Sequence, residues 1–261
     1  MSTVATVTKQ LEAWGTEAVR AIYLRLGAER AYGVPLAKVR ALAKELGTDH
    51  ALGLALWESG AHEARILACT LFDPRALTEP VARALSASSG YGVMADELVS
   101  RALGDAPFAS IARDTFRDAD DELVRRVGWK LLGKSVDTLT PAAIDAELAR
   151  LEREMPDAPF LVKEGMNFCL VQLGTKIPSV TERAMEIGAR MGVWDLRPIP
   201  KGCTSAYAPE WIAVLLARRS PEWKARAAEA VAVRDAALAA AKAAGRKATP
   251  SAKAKKARAK G

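Results

Sequence analysis

Residues 55–74 read ALWESGAHEARILACTLFDP. An Ala/Leu helix ends in Trp57, breaks at Gly60, and resumes with His62, Glu63 and Arg65 at the head of an apolar run. One Gly between two short helical stretches predicts a helical hairpin, because Gly enters the left-handed backbone that ends a helix without steric penalty. The second helix is apolar nearly all round, so it needs neighbours on several sides. The polar residues at its head read as first-turn charge and as hydrogen bonds to an adjoining hairpin, and not as chemistry.

Working outward, the chain from residue 4 to 240 reads as short helices separated by turn signals. VPLAKVRALAKEL (34–46) is amphipathic and stops at Gly47, with Thr48 or Asp49 placed to cap the next helix. A helix is expected around Pro74–Ser86 and another from about Val93 to Leu103. FASIARDTF (108–116) pairs with DELVRRVGWKLLG (121–133). TPAAIDAELARLEREM (140–155), capped by Thr140 with Pro141 behind it, pairs with FLVKEGMNFCLVQLG (160–174). VTERAMEIGARMG (180–192), APEWIAVLLARR (208–219) and a helix over 223–245 complete the series, and no stretch alternates as a strand would.

The second helices of these pairs each place a cation before an apolar stretch. Arg65 to Asp96 is 31 residues, Asp96 to Arg126 is 30, and Arg126 to Lys163 is 37. Two-helix units at such periods predict an all-α protein, an α-solenoid of HEAT-like helical repeats curved around a concave face. An irregular helical bundle is the alternative. The expected organisation is a repeat domain over 1–240 and a basic low-complexity tail over 241–261.

Charge supports that division. The chain carries +7, but eight of its cations and no acid lie from residue 241 onward, which leaves 30 basic against 31 acidic residues in the first 240. An anion-binding face on the body therefore requires asymmetric placement of its charges. The tail reads either as a solubilising segment or as a non-specific phosphate contact. No apolar run approaches the ~20 residues of a membrane span. The charged N-terminal stretch lacks a signal-peptide core, so a cytoplasmic protein is expected. Three scattered cysteines give neither metal-ligand spacing nor a disulfide framework. Cys203 reads as a small loop residue packed under the next helix. No glycine-rich phosphate loop, HExxH or nucleophile elbow is present, and no metal or cofactor is called for.

Among residues that can carry chemistry, Asp96 in VMADELVSRAL falls at the margin of the apolar side defined by Ala95, Leu98, Val99 and Ala102. It reads either as a first-turn acid on the helix dipole or as a partly desolvated carboxylate that reaches a ligand. In DELVRRVGWKLLG, Arg126 and Lys130 lie opposite Val124, Val127 and Leu131, with Trp129 alongside. This is either a phosphate-tracking face or a solvated helix side. Lys163 and Asn167 stand four apart on the next second helix. On successive repeats, Asp96, Arg126, Lys163 and Asn167 would line one concave surface.

The block YGVPLAKVRALAKELGTDHALGLALWESGAHEARILACTLFDP (32–74) resembles the DNA alkylation repair family, the AlkD-like HEAT-repeat DNA glycosylases. The likeness continues more faintly through MADELVSRAL, DELVRRVGWKLLG and FLVKEGMNFCLVQLG. It implies a curved solenoid that holds double-stranded DNA on its concave face and needs no cofactor; the sequence does not fix the oligomeric state, and a monomer is the expectation. Active members excise cationic N3- or N7-alkylated purines, and the resemblance implies that role for this chain. One carboxylate suffices for such good leaving groups, because it need only stabilise an oxocarbenium-like sugar and position a water. By this resemblance the catalytic aspartate is Asp96 and the phosphate-gripping arginine is Arg126, with Lys130, Lys163 and Asn167 on the DNA-binding face. Two family tryptophans are missing: Gly92 stands one turn before Asp96, and Asn167 takes the second place. Tyr91 and Trp129 are the candidate replacement aromatic walls. The alternative function is a non-catalytic HEAT-like scaffold that binds DNA or protein.

Overall fold

A computed structural model describes residues 3–199 and 203–245. Among them there are helices and short 3-10 turns and no strand. The chain divides into two compact units, with the break between Leu131 and Leu132. The division falls inside the span expected to be one repeat domain.

The first unit holds α1 (Val4–Trp14), α2 (Glu17–Arg25), α3 (Leu36–Leu46), α4 (His50–Glu58), α5 (His62–Leu71), α6 (Glu79–Ser88), α7 (Gly92–Arg101), α8 (Ala109–Phe116) and most of α9 (Glu122–Lys134). The hairpin of residues 55–74 is present. Gly60 takes φ +72° between α4 and α5, the left-handed value that would strain any side chain. Asp49 caps α4, its Oδ1 accepting from Leu52 N at 3.0 Å. His50 Nδ1 then accepts from Asp73 N at 3.3 Å, which ties the start of the hairpin to its end.

α5 is the most enclosed helix of the unit and packs against α3, α4 and α7. Trp57, Phe72, Leu67 and Leu71 are essentially inaccessible around it. Each large apolar side chain so buried contributes about 1.5–3 kcal/mol, and these supply the core. The helix expected over Pro74–Ser86 is shorter than predicted. Asp73 Oδ1 accepts from Arg75 N at 2.9 Å and holds a turn there, so α6 starts only at Glu79 after its cap Thr78.

The second unit holds α10 (Pro141–Glu154), α11 (Phe160–Lys176), α12 (Thr181–Met191), α13 (Ala208–Ala217) and α14 (Trp223–Ala243). Thr140 caps α10 by accepting from Ala143 N at 3.2 Å. α11 packs against α10, α12 and α13, and α13 lies on α14. α14 continues past residue 240, so the expected domain end falls within a helix. The low-complexity tail expected beyond residue 245 lies outside the described residues. Cys203 is exposed and not packed under α13, because Ser205 and Tyr207 occupy the buried positions ahead of that helix. No helix among the described residues is long and apolar enough to cross a membrane.

Candidate nucleic-acid interface

The head of α5 is a buried polar cluster. Glu63 is fully buried, and its carboxylate accepts from the backbone N–H groups of Tyr32, Gly33 and Val34 at 2.9, 2.6 and 2.8 Å. Arg65 donates from Nε to Trp57 O at 3.1 Å and from Nη1 to Ser89 O at 3.3 Å, and its guanidinium lies 5.0 Å from the Trp57 ring centre. The His62 ring sits 4.1 Å from that of Tyr23, and its Nδ1 shares a short hydrogen bond with Tyr91 Oη. Burial pushes the His62 pKa down to about 4, against the opposing pull of Glu63. The imidazole is therefore neutral near pH 7. All three residues act as the sequence predicts, as links between hairpins.

The second charged cluster joins α7 to α9. Asp96 Oδ1 accepts from Arg126 Nε at 2.9 Å, and Oδ2 accepts from Arg126 Nη2 at 2.9 Å and Lys130 Nζ at 2.8 Å. Arg126 and Lys130 stand four residues apart, hence on one face of α9, which delivers both cations to one carboxylate. The Arg126 side chain is 5% exposed, that of Lys130 13%, and that of Asp96 31%. Burial raises the Asp96 pKa, but Arg126 and then Lys130 outweigh it and hold the carboxyl below the usual carboxylate range. Asp96 is therefore ionised, with both of its oxygens paired to cations. It lies beyond the first turn of α7, which contains no acid, so the helix-dipole reading does not apply.

Gly92 explains how Arg126 fits. A Cβ built on Gly92 would lie 3.0 Å from Arg126 Cζ and 3.2 Å from Nε and Nη1. The guanidinium therefore lies against the bare backbone of α7, in the room that the missing side chain leaves. Arg126 is thus interior and not on a solvated face of α9. Packing on more than one side of that helix also buries Trp129, whose ring has the Arg117 guanidinium 5.2 Å from its centre. Tyr91 is buried against His62. Neither aromatic offers a ring face to solvent, which corrects the expectation of replacement walls. Next to Asp96, Glu97 pairs with Arg101 at 3.6 Å and Arg40 at 3.8 Å.

Lys163 and Asn167 belong to the second unit. Lys163 is half-buried, donates to Pro156 O at 2.7 Å and lies 6.0 Å from the centre of the Trp194 ring. Asn167 is interior, donating from Nδ2 to Ala206 O at 3.0 Å, because α11 is covered on both sides. It presents no surface to a ligand. Sequence reasoning missed Trp194, which lies after α12 in irregular chain where no helical period marks it. No three His, Cys, Asp or Glu side chains gather as a metal site among the described residues.

The family model described as DNA alkylation repair enzyme matches residues 7–212. The chain belongs to the DNA alkylation repair enzyme family. A solved structure, described as from a new family of proteins related to the HEAT-like repeat DNA glycosylases with affinity for branched DNA structures, is 25% identical to this chain. It aligns with a TM-score of 0.73 over 84% of this chain and 95% of its own. No curated protein matches. The fold is thus the all-helical, HEAT-like one that characterises DNA alkylation repair proteins, and the Asp96 cluster sits inside the span that the family model matches.

Proposed function

We propose that this DNA alkylation repair family member binds DNA through its backbone and shape, branched DNA included, and does not excise bases. The observation that carries the reading is the double pairing of Asp96 with Arg126 and Lys130. Stabilising an oxocarbenium-like sugar takes net negative charge at the reacting centre. Here both carboxylate oxygens are held by cations, which leaves less of the negative charge for a cationic sugar. The rings of Tyr91 and Trp129 are buried and offer no face to a cationic purine. Arg40 and Arg101, both largely exposed, extend the positive charge along α7. The related protein's affinity for branched DNA supports a function in binding.

The second reading, a glycosylase acting on N3- or N7-alkylated purines in duplex DNA, is favoured by one observation. Asp96 is ionised and keeps 31% of its side chain accessible. Release of 7-methylguanine from methylated duplex DNA by wild type and by Asp96→Asn separates the two. The binding reading expects no release from either above background, with tight binding to duplex and four-way-junction DNA. Release that Asp96→Asn abolishes would establish the glycosylase instead. Arg101→Ala is expected to reduce the magnitude of the log–log salt slope of duplex binding by about 0.9, the value for one phosphate contact.

A further inference from the structure

The second unit carries an aromatic cleft that the Asp96 cluster does not involve. We infer that this cleft, lined by Lys163 of α11, Arg190 of α12 and Trp194 just beyond it, binds a single unpaired nucleotide, its base stacked on Trp194 and its phosphate held by Lys163 and Arg190. The proposal rests on the DNA-binding reading above and names the feature of branched DNA that the chain would recognise.

The cleft measures about 350 Å³, within the lower range of small-ligand sites. Ile187, Met191 and Pro156 give it apolar lining, Trp194 an aromatic one, and Lys163 and Arg190 stand in it as cations. Trp194 is held by a T-shaped contact with Phe160, ring centres 5.6 Å apart. Phe160 is held in turn by the Arg197 guanidinium at 4.6 Å, which Glu164 and Asp195 fix at 2.5 and 2.7 Å. The indole is therefore pre-positioned, and ordering it on binding has little entropic cost. It is also half-exposed, unlike Trp57 and Trp129.

The charges select the ligand. Lys163 gives one N–H to Pro156 O and has two more to offer. Arg190 pairs with Glu152 at 2.5 Å, which leaves the cleft with two cations against one acid. A flat apolar face beside an anion describes a nucleotide. In a duplex that face is covered by its neighbours, so only an unpaired or splayed base can use the cleft, as at a branch point. Stacking of this kind is tolerant of sequence.

The test is fluorescence anisotropy of the full chain with a short labelled oligothymidylate and, separately, a blunt-ended duplex. Trp194→Ala is expected to weaken oligothymidylate binding roughly 5- to 150-fold and to leave the duplex unaffected. Trp194→Phe, which keeps a stacking face and guards against a folding defect, is expected to retain most of the affinity. Lys163→Ala is expected to reduce the salt dependence of oligothymidylate binding. The proposal is overturned if Trp194→Ala binds oligothymidylate as wild type does, or if it loses both DNAs equally while Trp194→Phe loses neither selectively. If the wild type binds neither DNA, the DNA-binding reading itself falls. Duplex binding with no effect of Trp194→Ala removes the cleft alone.

Discussion

α5 carries its charged residues at its head and α7 carries Asp96 just past its first turn, and the two are put to opposite uses. At α5, Glu63 and Arg65 make their hydrogen bonds to backbone groups of neighbouring turns. At α7, Asp96 spends its own on two side chains, which hold it against solvent with nearly a third of its surface accessible. A charge bonded to backbone is fixed by the fold. A charge bonded to other charges can exchange partners with an incoming ion. On the DNA-binding reading proposed above, the difference separates residues that tie hairpins together from those that can meet a phosphate.

The largest expected effect breaks the closed cluster. Glu63→Ala would leave three buried backbone N–H groups without an acceptor, and each hydrogen bond to a charged group is worth about 1.5–3 kcal/mol. A loss of stability on the order of 4 kcal/mol or more is expected in urea unfolding, with 7-methylguanine release as in wild type. A loss below about 1 kcal/mol would show that the turn over residues 32–34 holds without Glu63.

The open cluster should respond less in stability. Asp96→Asn takes one counter-charge from the interior Arg126 guanidinium, and breaking a buried pair in this way costs on the order of 3 kcal/mol. The substitution also makes the cluster more positive. Affinity for DNA should therefore hold or rise in binding titrations while the unfolding midpoint falls. A fall in affinity that is not explained by unfolding would mean that the carboxylate itself meets the ligand.

Acid should distinguish the two clusters again. His62 has a pKa of about 4 in the folded protein, below the ~6.5 of an unfolded histidine. The unfolded chain thus binds the proton more readily, and stability falls as pH drops from about 6.5 towards 4, by on the order of 2–3 kcal/mol. Asp96, with its pKa depressed, adds its loss only at lower pH, as it protonates below the usual carboxylate range. His62→Gln should flatten the first phase of a denaturation-against-pH profile and leave the second. An unaltered first phase would place that proton elsewhere.

The helical pairs were legible because apolar residues recur at helical spacing and Gly60 marks the turn between α4 and α5. Asp96 was legible for a related reason, since its place at the edge of an apolar stripe implies partial exposure. Arg126, Trp129 and Asn167 were not, because α9 and α11 are covered on more than one side and position around the wheel no longer separates inside from outside. Lys163 was found as a cation, but its neighbour Trp194 lies beyond the end of α12, where there is no period to read. The division of the chain at Leu131 falls inside α9, which runs unbroken through Gly128 and Gly133, so no turn marks the boundary.

The smallest expected effect tests why the open cluster exists in this form. Gly92→Ala puts a methyl group about 3.0 Å from Arg126 Cζ, tighter than ordinary contact, so the guanidinium must give by a few tenths of an ångström. Asp96 holds it on two nitrogens, and the residual strain should exceed the small helix-propensity gain of Ala at the start of α7. A net loss of about 1 kcal/mol or less is expected in thermal unfolding. In the Asp96→Asn background the guanidinium is released from that ion pair, so the same substitution should cost less. The two sites are in contact through Arg126 and should couple in a double-mutant cycle. Equal losses in both backgrounds would mean that the bare backbone at Gly92 serves something other than Arg126.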